Sequence, residues 1–191
     1  GGKTDDKDFL RGYGYQGGAS RSSLSEMVAE LKYGPKLKEA ILKPGQWNVN
    51  LLGFGETLPN TNNRMYMNYD KLDEWGLPTI TFDADFGENE LAMRRDMKLQ
   101  AEQMLKAAGF KNVQGYDVKE KRAMGLGIHE MGGAIMGKDP KTSVVNKHNQ
   151  VHACKNVYVT DGAFMTSSGC QNPSLTYMAF TARAANHAAK L

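Results

Sequence analysis

Apolar residues recur most regularly between Glu88 and Ala108, where Leu91, Met97, Ala101, Met104, Leu105 and Ala108 fall at helical spacing. Acidic residues occupy the first turn and Gly109 follows the last, so the pattern predicts a helix with both ends specified. Three methionines on it suit core filling, because a flexible thioether adapts to irregular gaps. Ahead of it, residues 47–58 and 64–69 alternate apolar and polar, with Pro59, Asn60, Thr61, Asn62 and Asn63 as a turn cluster between them. They read as an antiparallel pair. Residues 78–86 alternate again and predict a third strand, and residues 113–118 another.

Leu24, Met27, Val28, Leu31, Leu37 and Ile41 suggest helical segments broken near Gly34 and Pro35. Towards the end, residues 156–160 form a β-rich run that enters Asp161-Gly162 and a loop of small residues. Asn172-Pro173 then opens a last helix, with Asn as N-cap and Pro at the first helical position. Leu175, Met178, Ala179, Ala182, Ala185 and Ala189 would be its packed face. The fold class is therefore α+β: an antiparallel sheet flanked by helices, followed by a C-terminal strand and helix.

Composition narrows the function. At 191 residues, 40% hydrophobic and 24% charged, the chain is long enough for a sizeable core. The net charge of +3 is spread along the sequence without a basic run, which argues against nucleic acid as a partner. No apolar stretch reaches the roughly 18 residues of a spanning helix. Cys154 and Cys170 lie sixteen positions apart without a CxxC, so neither a disulfide framework nor a zinc site is indicated. His148, His152 and His187 have no metal-ligating spacing with His129 either.

Gly12-Tyr13-Gly14-Tyr15-Gln16-Gly17 matches the dinucleotide pattern G-x-G-x-x-G by letter. The run that enters it, Asp5 to Leu10, is too polar for the buried strand the pattern requires, so a Gly-rich strand or loop is expected. Arg11, Tyr13, Tyr15 and Gln16 could line a sugar pocket or simply build that strand.

The chemistry concentrates after Gly125. His129 stands among glycines, with Gly132, Gly133 and Gly137 following it. It reads either as a structural histidine in a turn or as a base near something bulky that approaches the backbone. The strand, acidic-Gly turn, small-residue loop and helix form a unit suited to a cofactor at strand ends. The N-terminus of the last helix would favour a group that becomes anionic.

In order, His129, the Gly-rich turn, Ser143-Val144-Val145-Asn146, Thr160-Asp161-Gly162 and Asn172-Pro173 resemble the C-terminal signature of the glucose-methanol-choline (GMC) oxidoreductases. Upstream, residues 12–21, Gly55-Glu56, Trp75 to Pro78 and Gly87 to Glu90 are similar to the gluconate- and glucoside-dehydrogenase-like branches. The resemblance implies an FAD-dependent enzyme that oxidises a CH-OH group of a sugar, polyol or sugar acid. His129 would take the hydroxyl proton as hydride leaves for flavin N5, and Asn172 would hold the hydroxyl. Asp161 and Gly162 would contact the ribityl-diphosphate region of FAD, and Asn172, Pro173 and Thr176 the pyrimidine edge of the ring.

It further implies residues 1–124 as a substrate-binding domain and residues 125–191 as the catalytic segment that completes an FAD-binding domain. The partners would be an N-terminal FAD-binding portion of the same chain, the substrate and an electron acceptor. On this reading the segment alone binds FAD weakly or not at all. Gly133, Ala134 and Ile135 stand where the family more often has Thr and Arg, which leaves a second reading: a carbohydrate-binding module that kept the fold without the cofactor.

Overall fold

The structure, a computed structural model, describes residues 8–21, 34–35, 37–38, 45–117, 124–125 and 127–190. Among the described residues the chain runs β1 (Tyr13–Arg21), β2 (Trp47–Gly55), β3 (Arg64–Leu72), β4 (Pro78–Asp83), α1 (Glu88–Ala107), β5 (Gln150–Val151), β6 (Cys154–Tyr158) and α2 (Ser174–Ala188). A single 3-10 turn, Gly162–Phe164, precedes α2. The α+β class holds, and the Gly-rich segment that matched a dinucleotide pattern is strand β1. The expected helices in residues 23–41 fall almost wholly outside the described residues.

Strand pairing differs from the expectation. β3 pairs antiparallel with β4, and β2 is hydrogen-bonded to β1, so residues 47–58 and 64–69 are not partners. The connection between β3 and β4 explains this. Asp73 accepts from Trp75 N and Leu77 N, Asp73 N donates to Leu77 O at 2.8 Å, and Gly76 takes φ +79. These bonds close a tight hairpin, since an aspartate side chain mimics a backbone turn and glycine accepts a positive φ. The linker between β2 and β3 is instead drawn to α1, where Leu58 N donates to Glu90 Oε1.

Two compact units result: Tyr15–Gly53, and the larger Gly1–Gly14 with Phe54–Leu191. In the larger unit α1 is the first anchor. Met93 is almost fully buried, and burying a side chain of that size stabilises by about 1.5–3 kcal/mol. Glu90 is also buried, accepting from Gly87 N at the helix start and from Leu58 N. At the other end Gly109 takes φ +87, as expected for a residue that stops a helix. Glu90→Gln, which keeps the shape but loses one acceptor oxygen, should cost about 1 kcal/mol in thermal unfolding.

Residues 113–117 form no strand, contrary to the periodicity. They pack on α1: a Cβ at Gly115 would stand 2.3 Å from Glu102 Oε1, and Asp117 pairs with Arg94. Side chains of a helix take the place of a partner strand.

α2 also turns a different face inward. Tyr177, Phe180, Ala184 and His187 lie towards the protein, with Ala184 buried and Phe180 stacked 4.6 Å from the buried Phe164. Leu175 and Met178, expected in the packed face, are exposed, as are Ala179, Ala182, Ala185 and Ala189. A helix this rich in alanine is apolar on most sides, so periodicity did not distinguish the face that packs.

Candidate active site

Residues 131–136 form an extended strap along the 3-10 turn. Gly132 N donates to Gly162 O, Ala134 N to Ala163 O at 3.0 Å and Met136 N to Phe164 O at 2.9 Å. Beyond it, Gly137 N donates to Val145 O, and Val145, with no exposed surface, bridges Met136 and Val151. The strap is thus sewn to a buried layer along its length.

His129 stands at the open end of this strap, half-buried, with its ring 6.3 Å from that of Phe54. Ile128 before it takes φ +66, a left-handed conformation that a β-branched residue seldom adopts. Glu130 Oε1 accepts from Gly127 N at 2.7 Å and closes the loop around the histidine. On the far side Gly132 and Gly133 both take positive φ, and a Cβ on either would meet nothing within 4 Å. The backbone there faces open space.

The remaining expected residues lie between β6 and the first turn of α2. Asp161 is exposed and caps the 3-10 turn by accepting from Ala163 N at 3.0 Å. Gly162 is buried. Pro173 is buried and is itself the N-cap of α2, so Asn172 lies one position before the cap, exposed, and the expected side-chain cap is not made. Pro173 supplies the fixed φ at the cap position. Thr176 is half-buried in the first helical turn, where backbone N–H groups have no partners within the helix.

Gly162 is where these pieces meet. A Cβ built on it would lie 2.6 Å from Glu130 O, 2.8 Å from Tyr177 Oη and 3.1 Å from Met131 Sδ. Tyr177 donates to Met131 Sδ at 3.6 Å. The residue after His129, the turn after β6 and the start of α2 are therefore clamped onto one atom-sized gap. Burial, then the negative charges of Asp161 and Glu130, raise the Tyr177 hydroxyl above its ordinary value, so it remains a neutral donor.

Contacts that no sequence spacing pointed to hold the loop before α2. Ser167 Oγ donates to Glu56 Oε1 at 2.5 Å, and Arg11 lies 3.8 Å from the same oxygen. Cys170 Sγ would be 3.1 Å from a Cβ at Gly14. Gly55-Glu56 carried part of the family resemblance, but no spacing links Glu56 to Ser167, because they are 111 positions apart. Ser143 Oγ lies 3.1 Å from His152 Nε2, yet it donates to Asp139 O at 2.6 Å, which makes the pair a structural contact and not an activated nucleophile.

The family model for GMC oxidoreductases matches residues 59–181, and the chain belongs to that family. Members are in general FAD-dependent. The chain is 31% identical over 175 residues to the fructose dehydrogenase large subunit of Gluconobacter japonicus, covering 92% of this chain and 31% of that protein. It is 34% identical over 128 residues to 6'''-hydroxyparomomycin C oxidase of Streptomyces lividus, covering 65% and 22%. It is 31% identical over 134 residues to 2-methyl-1,2-propanediol dehydrogenase of Mycolicibacterium austroafricanum, covering 70% and 24%. The chain thus spans less than a third of the length of these relatives. No helix among the described residues is long and apolar enough to cross a membrane.

Proposed function

We propose that this chain supplies the catalytic side of an FAD-dependent enzyme that oxidises a CH-OH group of a sugar, polyol or sugar acid. The observation that carries this reading is the Gly162 junction, which fixes the backbone beside His129 to the first turn of α2. The relatives named a fructose dehydrogenase large subunit, a 6'''-hydroxyparomomycin C oxidase and a 2-methyl-1,2-propanediol dehydrogenase match 92%, 65% and 70% of this chain and support the reading. His129 accepts the proton of the substrate hydroxyl, for which a neutral imidazole is suited near pH 7. Asn172, exposed beside α2, donates to or accepts from the substrate oxygen without competing as a base.

The residues present fit a flavin. Gly132 and Gly133 leave the backbone open to a flat ring, and the N–H groups at the start of α2, which have no partners within the helix, favour an edge that gains negative charge. When bound, FAD supplies the hydride acceptor. Asp161 and Gly162 lie towards its ribityl-diphosphate region on this reading, and Asn172, Pro173 and Thr176 at the pyrimidine edge.

Residues 1–124 then serve as the substrate-binding domain and residues 125–191 as the catalytic segment. Met65, Met67, Tyr69, Ile80 and Phe82 share one exposed face of the β3–β4 ribbon, and Leu175 and Met178 are exposed on α2. Contiguous apolar faces of this kind mark covered surfaces. An FAD-binding portion of the same chain is their occupant, and electrons leave to a separate acceptor. The visible spectrum of the full-length protein tests the proposal: flavin bands that bleach on adding a sugar or polyol are expected, and a colourless protein would favour the carbohydrate-binding module.

Asn172→Ala should lower kcat/KM by about 10- to 100-fold, the range for losing a hydrogen bond in a buried complex. Because Pro173 is the cap, thermal stability should fall by less than the roughly 1 kcal/mol of a lost N-cap. Kinetics and melting of the same variant separate the two roles.

A further inference from the structure

A second polar site lies at the C-terminal end of α2, among residues the proposed catalysis does not use. His148, Arg183, Asn186, His187 and Lys190 line a depression of about 250 Å³. The imidazoles of His148 and His187 stack at 3.9 Å with 16° between their planes, and the Tyr158 ring meets His187 edge-on at 6.4 Å. We propose that this depression binds a small phosphate-class oxyanion.

The site is built, because Arg183 and His148 are held by the fold. The Arg183 guanidinium lies 4.3 Å over the Phe180 ring, with Nη2 donating to Asn149 Oδ1 at 3.3 Å and lying 3.9 Å from Met136 Sδ. Asn149 is wholly buried, takes φ +62 and donates to Val159 O at 2.9 Å. Asn146 Oδ1 accepts from His148 N at 2.8 Å and sets the turn that carries that ring onto α2. A planar guanidinium pinned along one edge presents its remaining donors in a fixed fork, the geometry that recognises phosphate.

Charge selects an anion. Among the described residues no carboxylate lines the depression, and none lies within ion-pairing distance of Arg183, Lys190 or either histidine. Stacked rings cannot aim two ring nitrogens at one metal ion, and Arg183 and Lys190 repel a cation. The volume is below the roughly 300–1,000 Å³ of organic-ligand pockets, which suits a single oxyanion with water.

The stacked rings report occupancy. Desolvation, then the positive fields of His187, Lys147 and Arg183, lower the basicity of His148 from its ordinary value. A bound anion offsets those fields, so occupancy registers on the imidazole signals.

Inorganic phosphate titrated into the full-length protein, followed by the imidazole NMR signals and by calorimetry, tests this. Saturable shifts of the His148 and His187 signals at about millimolar phosphate are expected. Arg183→Gln and, separately, Lys190→Gln on the exposed helix end should each weaken binding about tenfold. No saturable shift at pH 6 would overturn the proposal, as would equal shifts with acetate or chloride at matched ionic strength, or undiminished binding by folded Lys190→Gln and Arg183→Gln proteins.

Discussion

Replacing His129 by alanine in the flavin-loaded, full-length protein should slow flavin reduction by about 10²- to 10⁴-fold, the contribution of a positioned general base. The histidine does not carry a core: it is half-buried and its ring contact is with Phe54 at 6.3 Å. Its loss should therefore leave the melting temperature and the flavin spectrum little changed while reduction, followed by stopped-flow bleaching, collapses. A histidine that only fills a turn would give the reverse, with a lower melting temperature and an ordinary rate. An unchanged rate constant would remove His129 from the chemistry, whatever the stability did.

The elements most legible in the sequence were those whose signals are local. α1 could be placed because its acidic first turn, helical spacing and Gly109 stop all lie within one segment. β1 could be separated from a nucleotide fingerprint by the polarity of the residues before it. Pairing was less legible, since it depends on where linkers are drawn. The Asn-rich turn at residues 60–63 does form, with Asn63 N donating to Asn60 O at 3.0 Å, but Glu90 pulls the neighbouring Leu58 aside and the hairpin closes instead at Asp73 and Gly76. A strand at residues 113–117 had the right letters and no strand beside it.

The site divides in the same way. His129, Asp161, Gly162 and Asn172-Pro173 were named from residue type, order and family resemblance, and the structure brings Gly162, the two residues after His129 and Tyr177 of α2 to one junction. What sequence order could not express was the clamp itself. Tyr177 reads as one aromatic among many until its hydroxyl is found against Gly162 and Met131, and Glu56 meets Ser167 across most of the chain. The side-chain cap expected of Asn172 fails for a local reason: Pro173 takes that position with φ −89.

Gly162→Ala should be the most damaging small substitution in the larger unit. The added methyl would stand 2.6 Å from Glu130 O, and that oxygen belongs to backbone, so the strap has to move to admit it. Forcing a methyl group into a packed junction costs about 1–3 kcal/mol, a fall in melting temperature of roughly 2–8 °C. Because Glu130 follows His129, the shift also displaces the proposed base, and misplacement of about 1 Å can cost on the order of 10²-fold in rate. Tyr177→Phe in the same protein relieves the 2.8 Å approach to the hydroxyl but leaves the 2.6 Å approach to backbone. The double variant should therefore recover less than half of either loss. Full recovery would mean that the tyrosine, and not the strap, is what Gly162 makes room for, and the link from this glycine to His129 would be broken.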